Sequence, residues 1–304
     1  MRKFYGFKFI FFFFFVFLFC FNLWAQKDTI VIGSISNTIK EEIATFQPFI
    51  EYLAKKLQPQ GISKGKMVVV SSMDEMSEAI KSGQVDIYID SPFPVLKVSI
   101  NSGAKPFLRR WKKGVKEYRS VIFTRRDSGI NSFTDLKGKI IGFEEPYSTS
   151  AYFLPKATLM KKGLNLVEKQ NSFDEVSPDE AGYLFSWDDE TTMVWVLRGK
   201  VSAGAISSQK FIVYAKGGMD ELKIIEESVV VPRQVVCHRQ DLNLELVNAT
   251  TKILLEMNRD KEGREILKNF EDTTKFDNFP KGAAEALSPI SELLSFIERE
   301  LGQN

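Results

Sequence analysis

Histidine and cysteine are almost missing from this chain of 304 residues, which holds one His and two Cys. That scarcity excludes most metal sites and His-based catalysis, because both need several such side chains brought together. His238 and Cys237 are neighbours in the strand-like run Val235-Val236-Cys237-His238, where alternation points them to opposite faces. An excess of charge is missing too. The 41 Lys+Arg balance 39 Asp+Glu, so the basic footprint of a nucleic-acid binder is not there. No Gly-x-Ser-x-Gly, Walker loop or His-based metal motif occurs, and no cofactor is implied. After residue 25 there is no short repeat, no low-complexity stretch and no Pro/Gly/Ser linker.

One long apolar run is present, Phe9 to Phe21, preceded by Arg2, Lys3 and Lys8 and followed by Asn22-Leu23-Trp24-Ala25. This order reads as a secretory signal over 1–25, cleaved after Ala25, and sends the chain to the periplasm. A retained anchor is the alternative, although the run is short of the roughly 20 residues of a full span. Cys20 follows Phe19 rather than a small residue, which rules out a lipobox. Removing 25 of the 304 residues leaves 279, with 38 basic against 39 acidic side chains. Only Cys237 then remains, so no intramolecular disulfide can form.

The mature chain alternates strands and helices. Strands are predicted at Thr29–Ile35, Lys66–Ser71 and Val85–Ile89, and helices at Glu41–Leu57, Met73–Lys81 and Pro94–Asn101. This βαβαβα order implies a largely parallel sheet with helices on its faces and ligands beyond its carboxyl edge. The pattern restarts with strands at Tyr118–Thr124, Lys139–Phe143 and Ala203–Ile206, an extended run at Leu222–Val231, and helices at Ser148–Lys162 and Met193–Arg198. The remainder is predicted helical over Leu242–Asn258, Lys261–Phe270 and Pro289–Leu301.

The segment Gly142-Phe143-Glu144-Glu145-Pro146-Tyr147-Ser148-Thr149-Ser150 is the most informative. A strand runs into a turn, and three hydroxyl residues open a helix whose free N–H groups and dipole suit an anion. An ordinary Ser/Thr cap is the plainer reading of the triplet alone.

From Val31 to about Phe270 the chain resembles the phosphonate/phosphite/phosphate-binding proteins of ABC importers. The matching residues are Phe46-Gln47-Pro48-Phe49-Ile50-Glu51-Tyr52-Leu53, Gly83-Gln84-Val85-Asp86-Ile87 and Tyr118-Arg119-Ser120-Val121-Ile122-Phe123. Further matches are Asp127-Ser128-Gly129-Ile130, Asp135-Leu136-Lys137-Gly138-Lys139 through Ser148-Thr149-Ser150, and Phe153-Leu154-Pro155. Gly199-Lys200-Val201-Ser202-Ala203-Gly204-Ala205 and Arg239-Gln240-Asp241-Leu242 complete the set. The resemblance implies a two-lobed α/β periplasmic-binding fold of type 2, each lobe a mixed, mainly parallel sheet flanked by helices. Two crossings are expected near Lys116–Ser120 and Glu226–Val231, giving one lobe of 26–117 plus 228–304 and another of 118–227. It also implies that Ser148, Thr149 and Ser150 grip an oxyanion head group in a cleft closed by hinge motion.

The departures from the family bear on ligand identity. Val95 stands where many members carry a ligand-contacting Tyr, Trp187 where they carry His, and Ser207-Ser208 where they carry Asp. Phosphonate specificity therefore does not transfer, since a site built for hydrogen bonds rejects ligands that lack them. Phe93 and Trp187 are candidate aromatic walls from opposite lobes, with core packing as the alternative for each. Ser91 is a candidate contact or a turn residue, and Tyr118 lies at the expected hinge. Within Arg109-Arg110-Trp111-Lys112-Lys113, Arg110 is a candidate bidentate anion ligand, although the run also reads as a solvated surface stretch.

Asp188, with Asp189 and Glu190, could border the cleft, but no second catalytic cluster accompanies these carboxylates, so an enzyme is not expected. The sequence thus points to a monomeric receptor that binds a small anion and delivers it to an ABC permease in the inner membrane. The rival is a ligand-sensing input subunit for a membrane sensor kinase.

Overall fold

The computed structural model describes residues 28–214 and 221–302, so the signal expected over 1–25 lies outside them. The chain opens with β1 (Thr29–Ile35), α1 (Ile39–Lys56), β2 (Lys64–Val70), α2 (Met73–Lys81), β3 (Ile87–Asp90), α3 (Pro92–Ser102) and β4 (Lys105–Arg110). A short β5 (Glu117–Tyr118) leads to β6 (Ser120–Arg125), β7 (Ile140–Phe143), α4 (Leu154–Lys161), β8 (Asn165–Glu168), β9 (Glu180–Phe185), α5 (Asp189–Leu197), β10 (Ala203–Ser207), α6 (Ser208–Tyr214) and β11 (Leu222–Glu227). The return passes through β12 (Val231–Pro232) and β13 (Gln234–His238) to α7 (Leu244–Glu256), α8 (Lys261–Asn269), β14 (Phe276–Asp277) and α9 (Ala283–Gly302).

Two six-stranded sheets result, ordered β14-β4-β13-β3-β1-β2 and β11-β6-β10-β7-β9-β8. In each, a parallel block (β2-β1-β3 and β10-β7-β9-β8) is extended by antiparallel strands. The inner strands of these blocks are covered on both faces and accordingly carry few polar residues; β1, β7 and β10 are buried along nearly their whole length. Between the sheets, β5 and β12 pair antiparallel with Tyr118 opposite Val231, so both passages of the chain run through one narrow ribbon.

Helix α9 lies behind that ribbon and touches α3 of the first lobe as well as α4 of the second. Ile290, Leu293, Leu294 and Ile297 on α9 share an apolar cluster with Phe93, Tyr118, Phe153 and Val231. This cluster is a core that neither lobe owns alone.

Four strands escape the sequence patterns, the two-residue β14 among them. β8 is short, β9 begins with small residues, and β4 ends in Arg109-Arg110, whose charges read as surface. The helix predicted from Ser148 starts instead with a π-helical turn over Thr149–Phe153, and Pro155 falls in the first turn of α4, where no N–H is needed.

Candidate functional site

The cleft between the lobes measures about 380 Å³ and lies at the carboxyl ends of β1, β3, β7 and β9. Ser34 and Ile35 end β1, Asp90 ends β3, Glu144 follows β7, and Trp187 follows β9. Such volumes suit a small ligand.

Of the residues singled out from the sequence, Ser91, Arg110, Tyr118, Ser148, Thr149, Ser150, Trp187 and Asp188 all line this cleft. Phe93 does not. Its ring stacks on Phe153 across 4.0 Å, nearly parallel at 5°, inside the interlobe cluster. Helix α3 turns it towards the hinge because Pro92 and Phe93 follow the strand directly, and the apolar face of α9 is there to receive it. Val95, at the family's Tyr position, is fully buried in the first lobe, and Ser207 caps α6 by accepting from the Lys210 N–H at 3.2 Å.

The hydroxyl triplet combines a capping role with its place in the cleft. Ser148 Oγ accepts from the Ala151 N–H at 3.1 Å and so caps the π-helical turn. Thr149 Oγ1 accepts the Phe93 backbone N–H at 2.9 Å, joining the lobes. The Thr149 and Ser150 hydroxyls also reach the Tyr118 phenol, which burial pushes up to about 12 against the pull of these donors and of Arg233. The first-turn N–H groups have no intrahelical partners, as at any helix start. On the other wall, Asp188 caps α5 by accepting from the Thr191 N–H at 2.7 Å. Trp187 adopts φ +64, a left-handed conformation rare for a bulky residue, and the residue is 58 % exposed beside the cleft.

The basic run near residue 110 is not a solvated stretch. Arg109 is buried and grips Asp277 through Nε (3.0 Å) and Nη2 (2.7 Å). Arg110 is 1 % exposed and donates to Thr273 (2.8 Å), Gln234 (2.6 Å), the Phe270 carbonyl (2.8 Å) and Glu271 (2.9 Å). Its guanidinium also sits 3.5 Å from the Phe270 ring centre. Arg110 is therefore satisfied by the protein itself.

Three further cations that sequence reasoning missed line the cleft. Lys112 pairs with Glu271; burial brings its pKa down to about 8 despite that partner. Lys210 pairs with buried Asp189 and lies 3.8 Å from Glu144; burial lowers it, and nearby Arg233 adds to the fall. Arg233 is 8 % exposed and stacks on the Tyr118 ring at 4.6 Å. Among the described residues its guanidinium has no hydrogen-bond or ion-pair partner. A lone Arg just beyond the second crossing was the available signal.

An acidic wall lines the same cleft. Burial pushes Glu145 up to about 7, with Glu144 and Asp90 adding repulsion and the Tyr147 hydroxyl opposing it. Asp90 is pushed up to about 6 by burial despite donors from Ser91 N–H (2.5 Å) and Tyr88 Oη (2.8 Å). Glu42 is raised by burial as well. Against the upward push of burial, Lys112 and Arg110 hold Glu271 down at about 2. At the outer edge Asn37 Nδ2 donates to Tyr147 Oη across 3.2 Å, a second polar link between the lobes.

Residues 32–281 match the family described as the periplasmic phosphonate substrate-binding protein of ABC transporters. The chain is 27% identical over 182 residues to the phosphate-import protein PhnD of Mycolicibacterium smegmatis, covering 58% of this chain and 54% of that one. It is 30% identical over 160 residues to the tetrathionate sensor histidine kinase TtrS of Salmonella typhimurium, spanning 48% of this chain and 24% of the kinase. The chain thus spans about half, or less, of the length of these relatives. Among solved structures, XAC2383 from Xanthomonas citri bound to chloride superposes with a TM-score of 0.85 at 22% identity, over 90% of this chain and 99% of that one. PhnD1 from Prochlorococcus marinus in complex with methylphosphonate gives 0.66 at 17% identity, over 91% and 99%. These structures share the fold.

Proposed function

This chain belongs to the periplasmic phosphonate-binding family of ABC-transporter substrate-binding proteins, and on that premise we propose that it is the monomeric receptor of an importer for a small oxyanion or a related organic anion. Members of the family bind a ligand and do not transform it. The observation that carries the proposal is the convergence of the Ser148–Ser150 helix start with the Tyr118 phenol at one end of the interlobe cleft. Anions are favoured at such a start by free N–H groups and by the dipole. Closure would swing a body of 26–117 plus 228–304 against 118–227 about the β5/β12 ribbon, and a ligand that touches both lobes favours the closed form. Export by a signal cleaved after Ala25 and delivery to an inner-membrane permease complete this reading.

A second reading, as the sensing subunit of a membrane kinase, is favoured by the similarity to TtrS. Thermal-shift measurements on residues 26–304 test the ligand class, with phosphate, phosphite, alkylphosphonates, sulfonates and carboxylates. A true ligand at about 100 times its Kd adds roughly 2.7 kcal/mol and raises the melting temperature visibly. Stimulation of a permease–ATPase complex by the liganded protein separates import from sensing.

A further inference from the structure

We propose that Arg233 is the counter-charge for the ligand, its guanidinium closing on two oxygens of an oxyanion seated beside Tyr118 and the Ser148–Ser150 turn. The inference rests on reading this cleft as the ligand site. Each of the other cations lining it already has a protein carboxylate: Arg110 and Lys112 share Glu271, and Lys210 has Asp189. Arg233, more than nine-tenths buried, has none among the described residues. Its guanidinium nitrogens stay open to the cleft, and the nearby Arg110, Lys112 and Lys210 add like-charge repulsion that an anion would relieve. Among the described residues its one favourable contact is the face of Tyr118, a weak cation–π partner.

The stacking also orients the group. With one face on the ring, the guanidinium's N–H donors are directed in its own plane, and the same ring's phenol meets Thr149 and Ser150. Cation and hydroxyl turn are thereby held on one scaffold, although they come from segments about 80 residues apart. The planar fork matches any head group with two acceptor oxygens, whether phosphonate, phosphate, sulfonate or carboxylate.

The test is titration calorimetry of the 26–304 protein with inorganic phosphate, methylphosphonate, methanesulfonate and acetate, on wild type, Arg233→Gln and Arg233→Lys. For whichever probe wild type binds, Arg233→Gln is expected to lose ~30–100-fold in affinity, the range for a charged hydrogen-bonded contact, and Arg233→Lys about 10-fold. The unliganded melting temperature of Arg233→Gln should equal or exceed that of wild type, since the substitution removes an unpaired charge. Unchanged affinity in both variants overturns the role of Arg233 and leaves the cleft reading standing. A melting temperature that falls in both variants, with affinity lost to the same extent in each, makes Arg233 structural and overturns the proposal. If no probe binds wild type, the inference and the cleft reading fall together.

Discussion

The backbone N–H of Phe93, on the first lobe, donates to the hydroxyl of Thr149, on the second, across 2.9 Å. Beside it the Phe93 and Phe153 rings stack at 4.0 Å, and α9 covers both. The middle residue of the hydroxyl triplet thus fastens the lobes at the hinge side of the cleft. Thr149→Val should cost about 1 kcal/mol, the net worth of a buried hydrogen bond. That lowers the melting temperature by roughly 2–4 °C for a chain of this size. A melting temperature equal to wild type would show that the bond does not join the lobes in solution.

Ser148 and Ser150 should separate into cap and contact. Ser148→Ala removes the acceptor for the Ala151 N–H and should cost about 1 kcal/mol of stability. Ser150→Ala should cost the empty protein less stability than Ser148→Ala, since it loses only the reach to the Tyr118 phenol, while weakening anion binding about fivefold, as loss of one hydrogen bond implies. Calorimetry alongside melting curves checks both; equal effects of the two substitutions on stability would contradict the division.

The acidic wall makes stability depend on pH. Asp90 and Glu145 titrate near 6 and 7 when folded, against 3.8 and 4.5 for the free groups. Between these limits the folded chain holds protons that the unfolded chain has released, so stability falls as pH rises from about 4.5 to about 7. Glu271 acts with the opposite sign only below its free value of 4.5, and His238, lowered from 6.5 by burial, offsets part of the slope below that value. The empty protein should therefore melt several degrees higher near pH 5 than near pH 7.5. The double substitution Asp90→Asn/Glu145→Gln should flatten this slope; a slope that persists would place its origin elsewhere.

Trp187 occupies a left-handed backbone conformation that costs an L-residue roughly 1–2 kcal/mol. Trp187→Gly should relieve that strain and raise the melting temperature of the empty protein. The same change strips an aromatic surface from the cleft, so affinity for ligands with an apolar body should fall relative to inorganic phosphate. Trp187→His should move preference towards small phosphorus oxyanions. An identical ligand profile in all three proteins would show that the indole does not meet the ligand.

Arg110→Met should behave unlike any change at Arg233. It leaves half-buried Glu271 beside Lys112 alone and removes four hydrogen bonds donated by a fully buried guanidinium. Breaking a buried pair from one side costs about 3–5 kcal/mol, so a severe loss of stability is expected whether or not ligand is present. Urea denaturation of the empty protein reads this directly.

Much of the fold was legible because its determinants are local. Buried parallel strands such as Thr29–Ile35 need continuous apolar runs, and α2 carries its Ser72 cap and its apolar spacing within a dozen residues. The Ser-Thr-Ser start was legible for the same reason, being a turn chemistry written in consecutive positions. What sequence left open is pairing across distance. Arg110 and Arg233 are each one basic residue in a short stretch, and nothing local says that Gln234, Phe270, Glu271 and Thr273 converge on the first while the second stacks on Tyr118. Phe93 reads equally as cleft wall or core until α9 arrives from the chain's far end to cover it. Local patterning set the strands, helices and caps of this protein. The tertiary structure alone decided which charges the protein neutralises itself, because desolvation and ion pairing depend on neighbours that only folding brings together.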